Sequence, residues 1–85
     1  MVKIAYFYFM KNEPDKIGMH VPAHIDYWKN AKLPNYSGGP FADRTGGLII
    51  FDADDLAKAE QIVNQDPFVT ADLIKSGWVK EWIQE

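Results

Sequence analysis

Residues 36–53 read YSGGPFADRTGGLIIFDA. Gly38-Gly39-Pro40 stands near the start and the apolar run Leu48-Ile49-Ile50-Phe51 near the end, with the polar turn Ala42-Asp43-Arg44-Thr45 and Gly46-Gly47 between them. Two extended arms, near 35–42 and 46–53, joined by a short Gly-containing turn predict a β-hairpin. The second arm lacks polar alternation, so both of its faces are expected to be covered. A strand of that kind belongs in the middle of a sheet, with helices on one face and a second covering on the other.

Working outward, residues 2–10 (VKIAYFYFM) predict another strand. Val2, Ile4, Tyr6, Tyr8 and Met10 share one face and Lys3, Ala5, Phe7 and Phe9 the other, so this strand too reads as central. Residues 11–19 contain Pro14 and Gly18 and read as a polar loop. Residues 21–33 (VPAHIDYWKNAKL) predict a helix with Pro22 in its first turn and Pro34 as its stop. Val21, Ile25 and Trp28 form a core stripe, and His24, Tyr27 and Ala31 a second stripe beside it.

Downstream of the hairpin, residues 54–65 predict a helix capped by Asp54, with Leu56, Ala59, Ile62 and Val63 facing inward. Asp66-Pro67 ends it. Residues 67–75 predict a short extra helix with Asp66 as N-cap, Pro67 at its first position and Gly77 as a left-handed residue beyond its end. Residues 78–83 (WVKEWI) predict the last strand, with Trp78 and Trp82 on one face.

The order β-α-β-β-α-(α)-β is the ferredoxin-like arrangement, an α+β fold with an antiparallel four-stranded sheet and helices on one face. Its first and third strands are central, and those are the two strands that read as apolar on both sides. The open face would expose Tyr, Phe and Ile unless a second sheet met it, so a homodimer packed sheet face to sheet face is expected. At 85 residues the chain reads as a single domain, 1–85, with a modest core. Yet 47% of its residues are hydrophobic and 14% aromatic, more than a lone small domain needs, so a partner or a pocket should take up the surplus.

The chain has no cysteine, which excludes a disulfide framework, a thiolate metal site and a Cys nucleophile. Its net charge of −3 argues against nucleic acid and anionic membranes as partners. No apolar run reaches membrane-spanning length and the N-terminus lacks the layout of a signal peptide, so a cytoplasmic location is expected. No Walker loop, dinucleotide fingerprint or serine-nucleophile motif is present, which leaves acid–base chemistry without a cofactor. His24 has two readings: the natural general base or acid for it, or a partly exposed histidine at the helix start with no task. His20 lies four residues before His24, but no third ligand is evident and no metal site is expected. Asp66 has two readings: a plain N-cap, or a carboxylate that orients His24. Gly39-Pro40 would let a ligand approach the backbone, and Tyr6, Tyr8, Tyr27 and Tyr36 would offer phenol groups to a pocket.

Taken together, Val21-Pro22-Ala23-His24, Gly39-Pro40-Phe41-Ala42-Asp43 with Gly46-Gly47-Leu48, Asp66-Pro67-Phe68 and the late Trp78 resemble the YciI-like (YCII-related) proteins over nearly the whole chain. Val21 replaces the Arg often seen just before this Pro, which argues against an Arg-dependent anion contact at that position. The resemblance implies a dimeric α+β barrel with a site on His24 and Asp66; beside it, Tyr6, Tyr27, Gly39, Pro40 and Phe68 are expected to shape the pocket. Some members resemble lyases or dehydrochlorinases acting on ring compounds, and with the His24 reading this gives the expectation of lyase- or isomerase-type acid–base chemistry on a small cyclic or aromatic organic acid. A ligand-binding or assembly module of the same fold, without chemistry, is the alternative.

Overall fold

The computed structural model describes residues 1–85. Its elements are β1 (Val2–Met10), α1 (Pro14–Ala31), β2 (Ser37–Pro40), β3 (Gly46–Ala53), α2 (Leu56–Val63), α3 (Pro67–Thr70) and β4 (Ile74–Glu81). The four strands form one sheet in the order β2-β3-β1-β4, every neighbouring pair antiparallel. This is the expected α+β ferredoxin-like topology, with β1 and β3 in the middle.

Strand register divides the apolar side chains between the two faces. Ile4 lies opposite Phe51 and Tyr6 opposite Ile49, and these four side chains are buried. Against them pack Trp28 from α1, Ala59 and Val63 from α2, Phe68 from α3, and Leu73. On the other face Phe7 lies between Leu48 of β3 and Trp78 of β4 and stacks on Trp78 at 5.4 Å. No element of the chain covers that face, and Phe9, Leu48 and Trp78 remain exposed.

The hairpin is as tight as its sequence suggests. The Phe41 N–H donates to the Gly46 carbonyl, the Arg44 N–H donates to the Phe41 carbonyl, and Asp43 accepts from both the backbone and the hydroxyl of Thr45. The paired part of the first arm is only Ser37–Pro40. Gly46 has a steric cause: a β-carbon there would run into the Tyr8 backbone carbonyl on the adjacent strand.

Several boundaries differ from those the sequence suggests. The first helix begins at Pro14, so residues 14–19 are helix rather than loop. Pro14 is tolerated in the first turn, where its missing N–H would have no partner. Pro22 therefore sits inside the helix rather than at its start, and the Gly18 carbonyl loses its i+4 donor. The stripe of α1 that meets the protein interior is Ile17, Val21, His24, Tyr27 and Trp28, while Ile25 is 55% exposed. The N-cap of α2 is Asp55, whose carboxylate accepts from the Lys58 N–H at 2.8 Å, and not Asp54. The extra helix stops at Thr70, and Asp72 takes the left-handed conformation assigned by sequence to Gly77. Gly77 instead lies within β4, opposite Tyr8, and β4 starts four residues before Trp78. The ladder outruns its last strand residue, because the Trp82 N–H donates to the Lys3 carbonyl.

Candidate active site

The turn between α2 and α3 carries the central carboxylate. Asp66 is extended (ψ 132°), Pro67 supplies the first helical position, and the side chain turns back to accept from the Phe68 N–H at 2.9 Å. The same carboxylate is fully buried and takes two more donors from α1. His24 Nδ1 lies 2.8 Å from Oδ1 and 3.0 Å from Oδ2, and Trp28 Nε1 donates to Oδ2 at 3.0 Å. A spacing of four sets His24 and Trp28 one above the other on the helix, so both reach one acceptor. A buried carboxylate needs such donors, since without them its desolvation would be uncompensated. Both readings of Asp66 therefore apply at once: it caps α3 and it binds the imidazole.

With Nδ1–H donated to Asp66, the other ring nitrogen is left as the acceptor. His24 Nε2 lies 3.4 Å from Tyr8 Oη, longer than a strong hydrogen bond, so its lone pair stays available. The imidazole stacks on Phe68 with ring centroids 4.0 Å apart and planes 12° apart, and Tyr8 meets it edge-on. Its side chain is 13% exposed. The ring is thus fixed by a carboxylate at one edge and by an aromatic face.

Burial, reinforced by the Asp66 charge, holds the Tyr8 and Tyr6 phenols above their ordinary value of 10.0. Tyr8 is thereby kept neutral, as a hydroxyl donor at the imidazole edge. Tyr27 and Tyr36 shift in the same direction for the same causes.

His24 and Tyr8 open on a cavity of about 650 Å³, lying along α1 and beneath the β2–β3 hairpin. That is the size of a small-ligand pocket. Met10, Ile17, Val21, Ile25, Leu33 and Ile49 give it apolar walls. The stripe that reads as core, Val21-Ile25-Trp28, thus lines a cavity. Gly39, Pro40 and Phe68 are in the wall as expected, and Gly39 has open space beside it. Tyr6 and Tyr27 are not. Tyr6 is buried in the core, stacked on Tyr8, and its hydroxyl has no partner. Tyr27 turns its hydroxyl to the Ile62 carbonyl. His20 points away as well and donates a ring N–H to the Lys16 carbonyl at 2.8 Å. Sequence reasoning chose Tyr6 and Tyr27 for the pocket and passed over Tyr8, which lines it. It missed Trp28 as a carboxylate partner, although the His24/Trp28 spacing carries that signal.

The YCII-related domain profile matches residues 1–83. By sequence, no curated protein matches the chain. Among solved structures, the chain is similar to the 5-chloro-2-hydroxyhydroquinone dehydrochlorinase of Burkholderia phenoliruptrix AC1100, solved with 2,5-dihydroxybenzoquinone. Identity is 24% and the TM-score 0.80, covering 100% of this chain and 96% of that one. It is also similar to an antibiotic biosynthesis monooxygenase, at 16% identity and a TM-score of 0.69, covering 100% of this chain and 99% of that one. At these identities the likeness speaks for the fold.

Proposed function

The chain belongs to the YCII-related domain family, and on that premise we propose that it is a small-molecule enzyme working by acid–base catalysis without a cofactor. The observation that carries this reading is one imidazole with two different edges. Nδ1 is bound to a fully buried carboxylate and Nε2 faces a cavity. His24 takes a proton from the substrate through Nε2, and the adjacent Asp66 carboxylate stabilises the imidazolium that results. Tyr8 donates its hydroxyl hydrogen bond to oxygen on the substrate as charge builds there. Return of the proton at another atom is an isomerisation; departure of a leaving group is an elimination. Gly39, Pro40 and Phe68 shape the pocket for a small cyclic or aromatic organic acid, while Tyr6 and Tyr27 support Tyr8 and Trp28 from behind. We assign the open face of the sheet to a homodimer and the whole of 1–85 to one cytoplasmic domain.

The test starts from 5-chloro-2-hydroxyhydroquinone, the substrate named for the structural relative, and extends to halogenated and hydroxylated ring acids. Chloride release and a change in the ring's absorbance spectrum are the readouts. His24→Ala should lower turnover of any accepted compound by roughly a hundredfold or more while the chain stays folded. A variant as active as the parent would refute the reading.

A further inference from the structure

We propose that Arg44 is the residue through which this cavity recognises the ionised group of its ligand, so that the pocket selects small ring compounds bearing a planar oxyanion, a carboxylate foremost. The inference rests on the reading of the cavity as a small-molecule site and adds what that site selects.

The first observation is charge. The chain carries −3, yet Lys29, Lys32 and Arg44 line the cavity and no Asp or Glu does. None of the three is ion-paired; the Lys pairs are Lys3–Asp52, Lys11–Asp72 and Lys16–Glu13. An apolar trough with only cations at its rim attracts an anion and holds it more strongly than open solvent would.

The second observation is backbone. Arg44 has φ 65° and Lys32 has φ 49°, a region where a β-carbon is crowded and glycine is favoured. The chain has six glycines and none of them occupies such a position. A hairpin tip that only had to turn would be served better by Gly or Asn. Keeping a long cation there, facing a cavity, costs stability and gains only what the side chain does.

Arg44 stands out among the three. Lys29 and Lys32 sit at the C-terminal end of α1, where a cation already complements the helix dipole. Arg44 has no such structural reason. It is the one arginine in the chain, and its planar fork matches a carboxylate in a way that an ammonium does not. Its backbone is also well held: the turn is closed by the Phe41 and Asp43 hydrogen bonds, and the Met10 N–H donates to the Thr45 carbonyl. Arg44 and Ile17 also border a shallow depression beside the cavity, which Lys11 and Glu13 line as well, and Ile17 precedes His24 by two helical turns, about 10 Å. Arg44 and His24 line the same cavity, so an aromatic acid with its carboxylate on Arg44 shares that space with the imidazole.

The experiment compares benzoate with benzamide, which has the same outline without the charge, by NMR titration of the whole chain. Benzoate should bind roughly tenfold more tightly than benzamide. Arg44→Gln and Arg44→Gly should erase that preference, and Arg44→Lys should keep part of it. Arg44→Gly should also raise the thermal midpoint, because glycine suits φ 65°, so the loss of preference would not be a loss of fold. Three results overturn the proposal: equal binding of the two probes, undetectable binding of benzoate at millimolar concentration, or full preference retained by Arg44→Gln. Titration needs no turnover, so the two readings fail separately. A chain that prefers benzoate but transforms nothing refutes the catalytic reading alone. A chain that turns over its substrate equally well as Arg44→Gln refutes this one alone.

Discussion

Replacing Asp66 with Asn removes one charge and one acceptor atom from a place that uses both oxygens. Oδ1 receives the Phe68 N–H and Oδ2 the Trp28 indole N–H, while the His24 N–H lies between them. An amide offers one oxygen and one NH2. Whichever way it is turned, the NH2 meets a donor, from Phe68 or from Trp28. A buried donor left unpaired costs about 1–3 kcal/mol, and weakening the charge-assisted bond to His24 costs about 1 kcal/mol more. Removing a fully buried charge returns part of that as relief of desolvation. The net expectation is a loss of about 2 kcal/mol. For a chain of this size the urea dependence is about 1 kcal/mol per molar, so the unfolding midpoint should fall by about 2 M at fixed chain concentration. The nitrogen spectrum of His24 should change in parallel. The parent should carry the Nδ1–H tautomer, and the variant, whose amide can donate to Nδ1, should shift towards Nε2–H. A midpoint lowered by less than about 0.5 M, with the tautomer unchanged, would refute the claim that this carboxylate holds cap, indole and imidazole together.

Three further outcomes follow from particular contacts. Gly46→Ala should cost about 3 kcal/mol or more in urea unfolding, because its β-carbon would strike the Tyr8 backbone, whereas Gly39→Ala, with open space beside it, should cost less than about 1 kcal/mol. Tyr6 and Tyr8 stay protonated in the folded chain above the value of 10.0 at which their unfolded counterparts ionise, so the unfolded state binds fewer protons there and stability should fall as pH rises past 10. Tyr6→Phe should flatten that alkaline slope and, by removing an unpartnered buried hydroxyl, leave stability at neutral pH unchanged or slightly higher. On the proposed homodimer, the parent should sediment as a dimer and Trp78→Glu, placing a charge beside Phe7 on the uncovered face, as a monomer; a monomeric parent would refute the dimer, and a dimeric variant would rule out this face as its interface.

The sheet was legible in the sequence because its two middle strands are apolar on both faces, a pattern that neither an edge strand nor a surface helix produces. The first helix was half hidden. Pro14, Gly18 and Pro22 each signal a break, yet Ile17 and Val21 on the same face pack against the core and override them. The start of β4 was hidden because Ile74 to Gly77 carry no clear alternation and Gly77 mimics a helix end. For the site, His24 and Asp66 stood out through the motif set, and α1 and the Asp66-Pro67 turn bring them together. Tyr8 did not stand out, since its position follows from pairing with Gly47 and Gly77 on two different strands, which no local pattern reveals.

The three tryptophans give the molecule two separate light sources. Trp28 is buried, donates to Asp66 and borders the cavity, whereas Trp78 and Trp82 are each 42% exposed. Emission from the first should report a guest entering, while the redder emission of the other two should report one copy settling against another. Because the buried and the exposed indoles differ in emission wavelength, occupancy and assembly can be followed side by side in a single cuvette, without any attached dye.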